Sequence, residues 1–251
     1  MRVTILGASP ACQNPGGACS GYLIEQGGTA LLIDCGSGVF SRLQNYVKPE
    51  QVQAILISHM HADHTLDLLP YRYHLFFRAA AQPDLPRPTL LFPPGGHENM
   101  LTVSRMQDPS PTFFSQVFAA AEYDPAQTLR VGPLVIEFVP VRHIPHTYAM
   151  RVQGRGLFAF SADSGPCEGL SVAARGSDLF LCECANTEES DYLFHLTPRQ
   201  AGRVATEAGA ARLLLTHRWW VHGHERAVAE AGDAFSGPIL VAREDDQHQI
   251  G

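Results

Sequence analysis

Apolar residues in this chain gather into short runs closed by glycine, proline or small polar residues. That is the pattern of strands buried in sheets. RVTILG, residues 2–7, reads as a first strand. SGYLIE and TALLIDCGSG read as a hairpin turning at Gln26-Gly27-Gly28. AILI at 54–57, TLLF before Pro93, GLFAF within 156–165, DLFLCECAN at 178–186 and ARLLLTH at 211–217 are further buried strands, and GPILVA reads as the last. LVIEFVPV at 134–141 alternates like a half-buried strand, and the tail EDDQHQIG reads as exposed. Helical spacing predicts helices over 39–47 and 66–78, and a mixed helix over 100–121 interrupted by Pro109 and Pro111. Residues 197–209 carry a full set of helix signals: Thr197 as N-cap, Pro198 in the first turn and Gly209 as the stop. No linker divides the chain, so residues 1–251 are expected to form a single domain.

Composition narrows the class. Of 251 residues, 45% are hydrophobic and 17% charged, as in ordinary globular enzymes. The formal net charge of −7 argues against broad nucleic-acid binding, which depends on neutralising phosphates with Lys and Arg. No apolar run approaches a membrane span, and the N-terminal stretch lacks the apolar core of a signal peptide. The six cysteines show no C-x-x-C pair, so all are expected as thiols in a reducing cytoplasm.

The chemistry concentrates in SHMHADH, residues 58–64, just after the AILI strand. Alternate residues of an extended chain point the same way, so His59 and His61 can converge on one ion. Asp63 and His64 follow where the chain bends and can face a second ion. Imidazole and carboxylate suit Zn²⁺, and also Mn²⁺ or Fe²⁺. Packing so many polar groups together without a ligand would be costly. Asp34 in DCG is either a brace for these histidines or a turn and cap residue. The glycine-rich stretch 7–21 is either a plain connecting loop or a loop at the site mouth. Three other strand ends carry ligand types, His143, Asp163 and His217, with His146, His222 and His224 as nearby competitors.

The pattern H-x-H-x-D-H resembles the signature of the metallo-β-lactamase superfamily. That resemblance implies an α/β fold, a four-layered αββα sandwich of two mixed β-sheets with helices outside. It implies two divalent metal ions, zinc first, with manganese or iron as alternatives. His59, His61 and His143 would bind one ion; Asp63, His64 and His217 would bind the other; Asp163 would bridge them. Asp63 would also orient the nucleophile, and Asp34 matches the brace of a D-x-G pattern. His143 with Tyr148 and Arg151 is similar to the ribonuclease Z branch, which favours His143 over His146. His195 in FHLTPRQAG resembles that branch's catalytic histidine, which faces the scissile phosphate; the bland reading is a histidine flanking a helix.

True ribonuclease Z enzymes carry a long tRNA-gripping arm between the positions of His143 and Asp163, and this interval is too short to hold it. That argues against extensive tRNA binding. The opening segment and LLIDCGSG look like armless bacterial relatives, some of them cyclic-nucleotide phosphodiesterases. The expected activity is therefore hydrolysis of a small anionic substrate, a phosphodiester such as a 3′,5′-cyclic nucleotide. The alternatives are an RNA 3′-end nuclease, a thioesterase or lactonase on the same metals, and a non-catalytic relative. Phe113, Trp219 and Trp220 are candidates for stacking a base, each with core or rim packing as the plainer reading. Homodimers are frequent among such relatives, which extends that expectation here by analogy.

Overall fold

The computed structural model describes residues 1–188 and 193–251. The first half opens with an antiparallel meander of β1 (Arg2–Gly7), β2 (Gly21–Gln26) and β3 (Thr29–Ile33). Parallel strands β4 (Ala54–Leu56), β5 (Thr89–Phe92) and β6 (Ala119–Glu122) extend it. The second half repeats the plan. Strands β7 (Leu129–Val131), β8 (Leu134–Val141), β9 (Thr147–Gln153) and β10 (Leu157–Phe160) pair antiparallel. Then β11 (Leu179–Glu183), β12 (Leu213–Thr216) and β13 (Ile239–Val241) add in parallel. A last strand, β14 (Gln247–Gln249), returns to pair with β1. The result is two mixed seven-stranded sheets.

Three apolar clusters give the layering. One lies between the sheets, with Ile5, Tyr22, Leu31 and Leu56 against Phe138, Met150, Phe160 and Leu181. A second packs the outer face of the first sheet under α1 (Val39–Leu43), α3 (Leu68–Ala81) and α4 (Gly96–Ser104). The third packs the other outer face under α5 (Glu168–Ala174), α6 (Pro198–Ala208) and α7 (His224–Gly232). Each such buried aliphatic or aromatic side chain contributes about 1.5–3 kcal/mol. This is the expected four-layered αββα sandwich. Polar groups also cross between the sheets: the Tyr22 and Thr216 hydroxyls meet at 3.0 Å, fully buried. Among the described residues, no helix is long and apolar enough to cross a membrane.

Several element boundaries differ from the sequence expectation. The helix expected over 66–78 is displaced: α3 starts at Leu68 and runs to Ala81, and a separate short α2 (Ala62–Thr65) precedes it. The break falls at Asp67, whose carboxylate accepts hydrogen bonds from the Gly38 and Phe40 amides at the start of α1. Helix α1 ends at Leu43, short of 47. In the 100–121 region α4 starts earlier, at Gly96, ends at Ser104, and the segment finishes as β6. GPILVA is not the last strand, because the polar tail supplies β14 on the sheet edge. Phe113 is fully buried in the cluster under the first sheet, so it is a core residue with no face open to a base.

Helix α6 forms as its signals predict. Thr197 Oγ1 accepts the Gln200 amide at 3.2 Å, and Gln200 Oε1 accepts the Thr197 amide at 2.9 Å. Gly209 closes the helix in the left-handed conformation. Replacing Thr197 with Ala is expected to cost about 1 kcal/mol. In a chain of this size that lowers Tm by about 2–4 °C, measurable by calorimetry.

Candidate metal centre

The strand ends of both halves meet at one edge of the sandwich. There the chain takes left-handed backbone at three non-glycine residues, Asp34 (φ 57°), Ala162 (φ 51°) and His217 (φ 52°). These follow β3, β10 and β12. Such conformations are strained for residues with a Cβ, and here they turn side chains off the strand ends. Gly36 belongs to the same edge: a Cβ on it would lie 1.9 Å from the Asp63 carbonyl oxygen. The D-C-G turn therefore packs directly on the histidine motif, and the Cys35 amide donates to the His64 carbonyl at 2.8 Å.

Two groups of donor atoms form. In the first, His59 Nε2 and His143 Nε2 lie 3.1 and 3.2 Å from His61 Nδ1. Asp163 Oδ2 lies 3.7 Å from His59 Nε2 and 3.9 Å from His143 Nε2. In the second, Asp63 Oδ2 lies 3.4 Å from His64 Nε2 and 3.1 Å from His217 Nε2. The two oxygens of Asp163 reach His64 and His217 at 3.3 Å each. Asp163 is thus common to both groups. A tetrahedral ion with bonds of about 2.0–2.1 Å sets its ligands about 3.4 Å apart, so these separations suit an ion at the middle of each group. His64 Nε2 is buried and makes no hydrogen bond, as expected of a donor kept for a metal.

For His59, His64 and His143 the other ring nitrogen is committed elsewhere, which fixes the tautomer. Asp34, fully buried, accepts the Ser58 amide at 2.7 Å, the Ser58 hydroxyl at 2.8 Å and His64 Nδ1–H at 2.7 Å. His59 Nδ1–H donates to Ser58 Oγ at 3.1 Å, and His143 Nδ1–H donates to the Phe194 carbonyl at 3.0 Å. Asp34 is therefore a brace for the motif rather than a cap.

Burial holds His59 well below the ordinary histidine range and pushes His143 down to about 4, so both keep a free lone pair. Burial likewise lowers His61. Burial also opposes charge on His64, but Asp163, Asp63 and Asp34 around it outweigh this and raise it well above its usual value. Burial would raise Asp63, yet His64 and His217 hold its carboxyl well below the usual range. The cluster is thus built for positive charge at its centre.

A Beta-lactamase superfamily domain model matches residues 29–218. The probable metallo-hydrolase YhfI of Bacillus subtilis is 33% identical over 246 residues, 97% of each chain. The chain belongs to the β-lactamase superfamily. The crystal structure of YhfI superposes with a TM-score of 0.88 at 28% identity, covering 98% of each chain. A ribonuclease Z from Mycolicibacterium gilvum is 27% identical over 245 residues, 86% of this chain and 84% of its own. A diphosphatase of the PhnP family shares the fold, with a TM-score of 0.78 at 19% identity over 100% of this chain and 98% of its own. With this family and this His/Asp cluster, the protein is a metallo-hydrolase whose centre suits divalent metal.

Around the superfamily centre, the competing histidines stand apart. His146 and His224 are exposed and His222 is half-buried; none joins either donor group. The interval from His143 to Asp163 is filled by β9 and β10. The loop after β1 joins the segment behind His217: Asn14 donates to the Arg218 carbonyl at 2.9 Å and accepts the Trp220 amide at 3.1 Å. His195 lies against the centre without entering either four-residue group. Its ring stands 5.1 Å from His143 and stacks at 5.6 Å on His217.

Sequence reasoning passed over Glu183. At the end of β11 it is fully buried, accepts the Ser164 amide at 3.0 Å and the Ala185 amide at 2.9 Å, and takes His195 Nδ1–H at 2.8 Å. Burial would lower His195, but the Glu183 hydrogen bond and charge raise it. The available signal was an ionisable residue inside the apolar run LFLCEC, since buried carboxylates need partners.

Asp34→Asn keeps every donor atom of both groups but replaces the acceptor behind His64. It should lower metal affinity by about 10–100-fold. Competition against a chromophoric chelator measures this; wild-type affinity in the variant would remove Asp34 from that role.

Proposed function

We propose that this protein is a dinuclear phosphodiesterase acting on a small anionic substrate such as a 3′,5′-cyclic nucleotide. In this reading His59, His61 and His143 hold one ion, Asp63, His64 and His217 hold the other, and Asp163 bridges them. Zinc suits the donor set, and manganese or iron would also be accepted. Such ions supply an acidified water and polarise phosphoryl oxygens.

The observation that carries the reading is His195. Its Nδ1–H is spent on the buried Glu183 carboxylate at 2.8 Å, which leaves Nε2 as the proton-bearing atom on the other side of the ring. A protonated imidazole beside the donor groups can give its proton to the leaving oxygen of a phosphodiester. Glu183 orients the ring and stabilises its positive form, while Asp63 orients the attacking water besides holding metal. Acyl hydrolysis has less need of such an acid.

Names among the relatives and neighbours, ribonuclease Z and a diphosphatase, support chemistry at phosphorus. The short His143–Asp163 interval favours a small substrate over tRNA. Six cysteines without a disulfide accord with a cytoplasmic enzyme. The exposed Phe76 and Phe77 rings of α3 are apolar surface that a second copy would cover in a homodimer, and sedimentation tests that part.

The deciding experiment is hydrolysis of 3′,5′-cyclic AMP by metal-loaded protein, with Asp163→Ala as the control without turnover. His195→Ala should retain metal and lose about a hundredfold to ten-thousandfold in kcat. The loss should shrink on bis(p-nitrophenyl) phosphate, whose leaving group needs no acid. An equal loss on both substrates would refute the proton-donor role. Absence of phosphodiester turnover in metal-loaded protein would refute the substrate class.

A further inference from the structure

Next to the metal centre, but sharing none of its donor residues, lies a separate cavity of about 300 Å³. Ala8 and Asn14 line it from the loop after β1, Arg218 and Trp220 from the segment after β12, His224 from α7, and Arg243 from beyond β13. It does not depend on the phosphodiesterase reading.

Arg218 is the unusual group. It is only 6% exposed. Its Nη1 donates to the Trp219 carbonyl at 3.2 Å, while its buried Nε has no hydrogen-bond partner. Among the described residues no carboxylate pairs with it or with Arg243. Glu244 also lines the cavity, but its Oε1 is taken by the Ala18 amide at 3.0 Å. The other guanidinium that lines the cavity is that of Arg243.

A buried guanidinium without a counter-charge is costly, and proteins keep such groups paired. Its planar fork matches a phosphoryl or carboxylate group in two parallel hydrogen bonds. With a second guanidinium facing the same space, the favoured ligand is a dianion. The cavity is larger than one phosphate needs and sits at the small end of ligand pockets. Trp220, 60% exposed, offers a ring face at its wall. We propose that this cavity binds the phosphoryl group of a phosphomonoester through Arg218 and Arg243, with the ester group against Trp220.

Trp219 and Trp220 are the chain's two tryptophans, so intrinsic emission reports on this cavity. The test titrates metal-loaded protein with inorganic phosphate and with phenyl phosphate, following emission and Tm. Asp163→Ala, run in parallel, weakens binding at the metal centre. Both ligands should shift the emission in both proteins, with phenyl phosphate binding more tightly. Tm should rise by about 5 °C at a hundredfold excess over Kd. Arg243→Gln, at an exposed position, should weaken binding at least tenfold. Arg218→Met should melt at or above the wild-type Tm in phosphate-free buffer and lose the phosphate-dependent rise. If the response persists in Arg218→Met, or vanishes in Asp163→Ala, the anion is held at the metal centre and the proposal fails. It also fails if Arg218→Met melts several degrees lower without phosphate and Arg243→Gln binds as wild type, since Arg218 is then structural.

Discussion

Asp34 sits fully buried just beyond β3, in left-handed backbone, and its two oxygens take three hydrogen bonds from Ser58 and His64. A buried carboxylate with three donors is a rigid fixture, because breaking any one bond leaves charge unsatisfied in a low dielectric. Its consequences propagate along the motif. Ser58, having given its hydroxyl proton to Asp34, can only accept from His59 Nδ1–H, which turns His59 Nε2 toward the centre. His64, held by the same oxygen, also presents Nε2. One side chain from the meander thus sets the tautomer of one imidazole in each donor group.

The two halves supply complementary charge to this edge. The first half brings Asp34, Asp63 and most of the imidazoles; the second brings Asp163, His143 and His217. Burial lowers His59 and His143, while the three carboxylates around His64 raise it. That distribution is costly in the absence of a cation and becomes favourable around one. The overall charge of −7 says little about the site, because local fields are set by these few buried groups.

What was legible in the sequence was local. The histidine spacing after a buried strand, the cap and stop of α6, and the runs that form the inner strands follow rules that act within a few residues. What was not legible depends on partners distant in the chain. Asp67 reads as part of a helix until the start of α1 claims its carboxylate. Strand β14 is polar because it pairs at a sheet edge, so no apolar period announces it. Glu183 belongs to an apolar strand, and its role rests on His195, twelve residues on, beyond the start of its own loop. Asp34 is intermediate: D-x-G suggested a brace, but only the placement of Ser58 and His64 separates that from a turn.

The rings around the centre differ in what stands behind them, and this separates their chemistry. His143 rests on a backbone carbonyl and His59 on a serine hydroxyl, acceptors without formal charge. Neither acceptor adds negative charge behind its ring, and both rings stay neutral. His64 and His195 rest on carboxylates, and both are raised. For His64 the site supplies two more carboxylates at Nε2, so positive charge is favoured on that side of the ring. His195 stands outside both four-residue donor groups, with Glu183 on its Nδ1. A buried carboxylate behind the ring favours its charged form, as an acceptor without formal charge does not.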